Sequence, residues 1–118
     1  MKCIALIAHD RVKADLVQWV KEHVKILQKY HLMATNHTGT AIKDATGLDI
    51  EIFESGPMGG DIRIANQILE GKVDELIFFV DQLSPMPHDP DIRSLIRIAT
   101  IQDIPFALNR ATADLIIH

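Results

Sequence analysis

Short apolar runs alternate along this chain with stretches in which apolar residues recur every three to four positions. Cys3 to Ala8 (CIALIA), Leu32 to Thr35, Ile50 to Phe53, Leu76 to Val80 (LIFFV) and Pro105 to Leu108 are the short runs. They are brief for helices and mostly continuous rather than alternating, as strands buried on both faces are. Between the first two, Leu16, Val20, Val24 and Leu27 share one helical stripe, which predicts a helix from Lys13 to about Gln28. Thr38 can cap a small second helix with Ala41, Ile42 and Ala45 inward, and Gly47 can end it. Residues 61 to 70 form a third helix through Ile64, Ala65, Ile68 and Leu69, stopped by Gly71. Pro90 opens the fourth at its first position, with Ile92, Leu95, Ile96 and Ala99 inward. Residues 111 to 117 give a last helix. LIFFV, the most apolar run, is expected near the centre of the sheet.

Five rounds of strand then helix predict an α/β fold: a five-stranded parallel sheet with helices on both faces and right-handed crossovers. With no linker or repeat, residues 1–118 read as a single domain. Ligands of such sheets sit beyond the carboxyl ends of the strands, at the topological switch point. The exits can therefore be inspected one by one. Strand one leads into His9-Asp10 and then Lys13; strand two into Thr35-Asn36-His37-Thr38-Gly39. Strand three leads into Ser55-Gly56-Pro57-Met58-Gly59-Gly60-Asp61. Strand four leads into Asp81 and a loop carrying His88-Asp89-Pro90-Asp91, and strand five into Asn109-Arg110. Acids, imidazoles, hydroxyls and cations thus collect on one rim.

Composition narrows the possibilities. A net charge of −4 without a basic tract argues against a nucleic-acid surface. The one cysteine, Cys3, excludes a disulfide framework and reads as a buried packing residue in a reducing compartment. The opening apolar run is too short for a signal peptide or membrane span, so a soluble cytoplasmic protein is expected. No GxGxxG or GxxxxGK[ST] fingerprint is present, which argues against dinucleotides and nucleoside triphosphates. His9, Asp10, His88, Asp89 and Asp91 include possible metal ligands, but without HxH or HExxH spacing the sequence gives no metal site.

The glycine-rich turn at 55–61 holds the sharpest chemistry. Its glycines bring bare N–H groups close to a ligand, and Asp61 falls in the first turn of the following helix, where anions are favoured. An acid there can simply complement the helix dipole; three preceding glycines favour a cradle with a base at its lip. A helix N-terminus weakens a carboxylate base, so the base reading needs Asp81 or Asp91 nearby. His88 precedes a helix N-terminus, where a neutral imidazole can polarise a carbonyl. Asp91 can orient that ring or serve as a first-turn acid, and Asp89 caps the helix. Asp10 is either a cap or a site residue. Lys13 can reach an anion or stay solvated. Thr35, Thr38 and Ser55 are ordinary turn residues singly, and around one rim read as phosphate donors.

IALIAHD at 4–10, SGPMGGD at 55–61, LIFFVDQL at 76–83, PHDPDIRSLIRIAT at 87–100 and ALNRATADLII at 107–117 together resemble the methylglyoxal synthase family, over nearly the whole chain. The resemblance implies a three-layer Rossmann-like fold and a cytoplasmic homohexamer. It also implies a lyase that, without a cofactor, converts dihydroxyacetone phosphate to methylglyoxal and inorganic phosphate through an enediolate. It would make Asp61 the base and set His88 at the carbonyl oxygen, with Asp91 and His9 assisting proton movement and Asp10 and Asp81 supporting. Lys13, Thr35, Thr38, Ser55 and the backbone of Gly56 would hold the phosphate. Two stretches depart from the family pattern. TNHTG at 35–39 stands where TGTTG is usual, and Ile62-Arg63 follow the GGD. Asn36 can take a glycine's left-handed conformation, and the His37 ring either binds phosphate or fills its place. Two other functions remain compatible with the pattern: a non-catalytic phosphate-ligand module of the same fold, and a lyase or isomerase for another small phosphorylated ketose.

Overall fold

At the middle of the sheet runs β1 (Cys3–Ala8), all six residues buried. The structure, a computed structural model, describes residues 1–53, 60–81 and 92–117. Ser55, Gly56, His88 and Asp91 lie outside the described residues, as do Asp89 and Pro90. The other strands are β2 (His31–Thr35), β3 (Ile50–Phe53), β4 (Glu75–Phe79) and β5 (Phe106–Ala107). They form one five-stranded sheet in the order β3-β2-β1-β4-β5. Every pairing is parallel, with Ala5 opposite Met33 on one side of β1 and Leu76 on the other. The strand run LIFFV is thus interior but one place off centre. The chain leaves β1 for β2 and β3 on one flank, and returns for β4 and β5 on the other. The switch point therefore lies between the carboxyl ends of β1 and β4.

Two apolar cores explain why the strand sequences do not alternate. Ile4, Leu6 and Ala8 point into one core with Leu16, Trp19 and Val20 of α1 (Lys13–Glu22). Leu27 of α2 (Val24–Leu27), Ile42 of α3 (Asn36–Thr46) and Ala113 of α6 (Arg110–Ile116) join the same core. Cys3, Ala5 and Ile7 point the other way, to Ile64, Ala65 and Ile68 of α4 (Gly60–Leu69) and Leu95 and Ala99 of α5 (Ile92–Ile101). Neighbouring positions of β1 thus serve opposite layers, and both must be apolar. Each fully buried Leu, Ile or Phe contributes about 1.5–3 kcal/mol.

Some expected details shift. The helix predicted over 13–28 is broken at His23 (φ −122°, ψ 22°), which separates α1 from α2. The stripe survives because one non-helical residue does not move Leu27 off the core. Thr38 is not a cap. Thr35, in extended backbone, occupies that position, and Thr38 is buried within α3. Asn36 is part of that helix and needs no left-handed turn. Gly47 does end α3 in the left-handed conformation (φ 73°), as does Gly71 just after α4 (φ 77°). On α5, Ile98 rather than Ile96 packs on the core with Ile92. β5 is two residues long, shorter than the run 105–108.

Candidate active site

The two strands flanking the switch point are joined past their ends by one side chain. His9 follows β1 and is 2 % exposed. Its backbone N–H donates to Phe79 O at 3.0 Å, which extends the ladder by one step. Its ring then takes the next step: the Asp81 backbone N–H donates to His9 Nδ1 at 2.9 Å. The imidazole and Phe78 meet T-shaped, at 5.1 Å between centroids and an interplanar angle of 82°. His9 and Asp81, both expected on the rim, are therefore brought together, and Asp81 is buried beside the ring. Arg11 Nε lies 3.9 Å from Asp81 Oδ2. Asp10 opens a single 3₁₀ turn (Asp10–Val12) and pairs with Lys13, Oδ1 to Nζ 3.3 Å, at the start of α1.

Thr35 and Asp61 form the second half of the rim. Thr35 ends β2 and stands at the N-cap position of α3 without a side-chain capping bond; Asp61 is the acid in the first turn of α4 and is half-buried. The link between them is Gly60. A Cβ on Gly60 would stand 2.8 Å from Phe53 O, 3.1 Å from Thr35 Cγ2 and 3.3 Å from Thr35 Cβ. The start of α4 is therefore seated directly on the ends of β2 and β3, and Asp61 follows from that seat. Thr38 is buried in the first turn of α3. The His37 side chain, which the sequence allows to fill the phosphate's place, is exposed. Asn36 Oδ1 accepts from Thr40 Oγ1 at 3.4 Å, so that side chain braces the first turn of α3.

Of the expected site residues, His9, Asp10, Lys13, Thr35, Thr38, Asp61 and Asp81 all fall at the carboxyl end of the sheet. Arg11 and Gly60 enter this geometry without being singled out by the sequence pattern. Arg11 carried no pattern of its own, since its relevance depends on β4 lying next to β1. In the sequence Gly60 reads only as part of a cradle. Arg110, on the fifth exit, pairs instead with Glu22, and Asn109 caps α6. Among the described residues no cluster of three His, Cys, Asp or Glu side chains could hold a metal ion. No helix of the described residues is long and apolar enough to cross a membrane.

Hollows lined by described residues lie at both ends of the sheet. An open groove of about 500 Å³ between α1 and α3 has Ala14, Val17, Ala41 and Ala45 for a floor, with Asp10 and Lys13 at its rim. A second, of about 380 Å³, lies at the amino ends of β1 and β2, beside Tyr30, His31 and Asp49, and shares none of the site residues. Cys3, at that same end, is buried. Burial, with Asp74 and Glu51 adding to it, pushes its thiol up to about 11.

Comparison with known proteins gives a consistent result. A family model described as MGS-like domain matches residues 15–108. A methylglyoxal synthase of Photorhabdus laumondii is 53 % identical over 98 % of this chain and 76 % of its own length. One of Erwinia tasmaniensis is 52 % identical over 99 % and 77 %. The crystal structure of methylglyoxal synthase from Elizabethkingia anophelis superposes with a TM-score of 0.93 at 42 % identity, covering 98 % of this chain and 76 % of that one.

Proposed function

The chain belongs to the MGS-like domain family, and from that premise we propose that it is a carbon–oxygen lyase that converts dihydroxyacetone phosphate to methylglyoxal and inorganic phosphate. The observation that carries this reading is identity of about half the residues with proteins named methylglyoxal synthase, over nearly the whole chain.

Asp61 is the base. It takes a proton from the hydroxymethyl carbon next to the substrate carbonyl, and the electron pair left behind forms the enediolate. Collapse of the enediolate breaks the C–O bond to phosphate, which leaves with that bonding pair. The enol that remains tautomerises to methylglyoxal. Only a proton and a phosphate change hands, so the chemistry calls for no redox group and no cofactor. A positioned base supplies about 10²–10⁴ in rate. Supporting geometry comes from the first-turn position of Asp61 on α4, seated against Thr35.

His88 polarises the carbonyl oxygen and Asp91 orients it; His9 faces the same developing charge, with Asp10 and Asp81 in support. Lys13, Thr35, Thr38, Ser55 and the Gly56 backbone hold the phosphate, helped by the α3 N-terminus. Each donor aimed at the developing oxyanion is worth about 2.7–4 kcal/mol. Loss of phosphate further requires the C–O bond to swing out of the enediolate plane, the reverse of what an isomerase with the same intermediate must enforce. Residues 1–118 act as one domain, and the assembly is a cytoplasmic homohexamer, to be measured by sedimentation.

The decisive experiment incubates purified protein with dihydroxyacetone phosphate and follows both products. Equal amounts of methylglyoxal and phosphate are expected. Asp61→Asn should lower kcat by about 10²–10⁴ while still binding phosphoglycolate, a mimic of the enediolate. No turnover with retained phosphate binding would make the protein a regulatory module instead. Phosphate release without methylglyoxal would mean a different ketose chemistry.

A further inference from the structure

The hydrogen bond at the switch point constrains which proton His9 can carry. A backbone N–H can only donate, so His9 Nδ1, 2.9 Å from Asp81 N, must present its lone pair. A ring with an unprotonated Nδ1 carries its one proton on Nε2. Protonating Nδ1 would set two N–H groups against each other inside a buried contact, and would leave the Asp81 N–H without its acceptor. Rotation offers no escape, because the residue is 2 % exposed and its ring packs T-shaped against Phe78. Its main chain is pinned as well, donating from N–H to Phe79 O and accepting at C=O from Val12 N–H at 3.1 Å.

We infer that the Asp81 backbone N–H locks His9 as the Nε2–H tautomer, so that His9 serves the site as a fixed hydrogen-bond donor and not as a proton carrier. Acting as a base would require a lone pair on Nε2, hence a proton on Nδ1 and loss of the bond that closes the β1/β4 ladder. What the ring can offer is an N–H aimed at an oxygen that gains negative charge, whether phosphate, enediolate or carboxylate. The charged neighbours among the described residues fit that assignment. Asp81 is buried beside the ring with the Arg11 guanidinium 3.9 Å from its carboxylate, and Asp10 is engaged by Lys13. The device works only because β4 lies next to β1: residue 81 is the second position past β4, and residue 9 the first past β1.

The rate part of this inference rests on the lyase reading, whereas the tautomer does not. Nitrogen-15 NMR of histidine-labelled protein at neutral pH reads the tautomer directly. An Nε2–H resonance with a pyridine-like Nδ1 is expected. An Nδ1–H tautomer, a doubly protonated ring or averaging between forms would overturn the inference, whatever the turnover. The donor role is read from two variants. In His9→Asn the amide oxygen takes over from Nδ1 as acceptor for Asp81 N–H, while the Nε2 donor is gone. Its melting temperature should stay close to that of the parent, with kcat lower by on the order of 10²–10³-fold. His9→Gln places an amide N–H near the Nε2 position but orphans Asp81 N–H, so it should regain part of kcat and lose melting temperature. His9→Asn with undiminished kcat would refute the donor role. Failure of the parent itself to make methylglyoxal would fall on the lyase reading and leave the NMR result standing.

Discussion

Gly60 shows how one missing side chain can set the position of the residue beside it, here the proposed base Asp61. The Phe53 carbonyl that a Cβ would meet at 2.8 Å belongs to the end of a strand and cannot move aside as a flexible side chain can. Gly60→Ala must therefore lift the start of α4, and Asp61 with it, away from Thr35. We expect a loss of about 1–3 kcal/mol in urea unfolding, together with a fall in kcat larger than the loss of stability would explain. Gly47→Ala is the matched control. Gly47 has φ 73° and no atom within 4 Å of its added Cβ. That variant should lose about 1–2 kcal/mol from the left-handed conformation and leave kcat unchanged. Equal effects of both variants on kcat would remove the positional role of Gly60. The glycine turn was legible as a special segment because Gly and Pro cluster there. That one of its glycines is required by clearance against a strand end was not, since the contact joins residues brought together only by folding.

α6 is seven residues long, too short to be helical by itself in water. Three local devices hold it. Asn109 Oδ1 accepts from Thr112 N–H at 2.9 Å as an N-cap; Trp19 Nε1 donates to Asp114 Oδ1 at 2.8 Å; and Arg110 pairs with Glu22. Asn109→Ala should cost about 1 kcal/mol and shift the emission of Trp19, the only tryptophan, as its α6 partner loosens. An unchanged melting point and unchanged emission would mean that packing alone holds α6. Elements of this kind were readable to within a residue or two wherever pattern and capping chemistry agreed: Gly47 and Gly71 stop their helices as their sequence positions imply. The errors came where tertiary contact decides. His23 leaves the helix with its Nδ1 2.7 Å from Trp19 O, its ring tilted by 34° against the Trp19 ring at 4.8 Å. Ile98, not Ile96, packs on the core, a choice that helical periodicity alone does not make. The convergence of strand exits was legible because parallel strands put every exit at one end. The His9–Asp81 and Arg11–Asp81 contacts were not, because they depend on strand order.

The parallel sheet divides the molecule's acids and its chemistry between two ends. At the carboxyl end lie Asp61 and Asp81; at the amino end Glu51 and Asp74 act on Cys3. There the Asp74 carboxylate accepts from the Cys3 backbone N–H at 2.8 Å, tying the loop before β4 to the start of β1. Burial first, then Asp74 and Glu51, disfavours the thiolate and raises the Cys3 pKa from 9.0 to about 11. The folded protein therefore keeps a proton that the unfolded chain has released over that interval. The resulting stabilisation is complete below pH 9.0 and is lost as pH rises through about 11. Other groups titrate in the same window, so the comparison must be with Cys3→Ala, which lacks the thiol. The stability difference between parent and variant should shrink, by on the order of 1 kcal/mol, as unfolding is measured at increasing pH across this interval. Iodoacetamide should modify the folded parent only at the rate at which it opens, and denaturant should accelerate that rate. A constant difference across the interval, or rapid alkylation of the folded protein at neutral pH, would mean that the thiol is neither buried nor held protonated by its acidic neighbours.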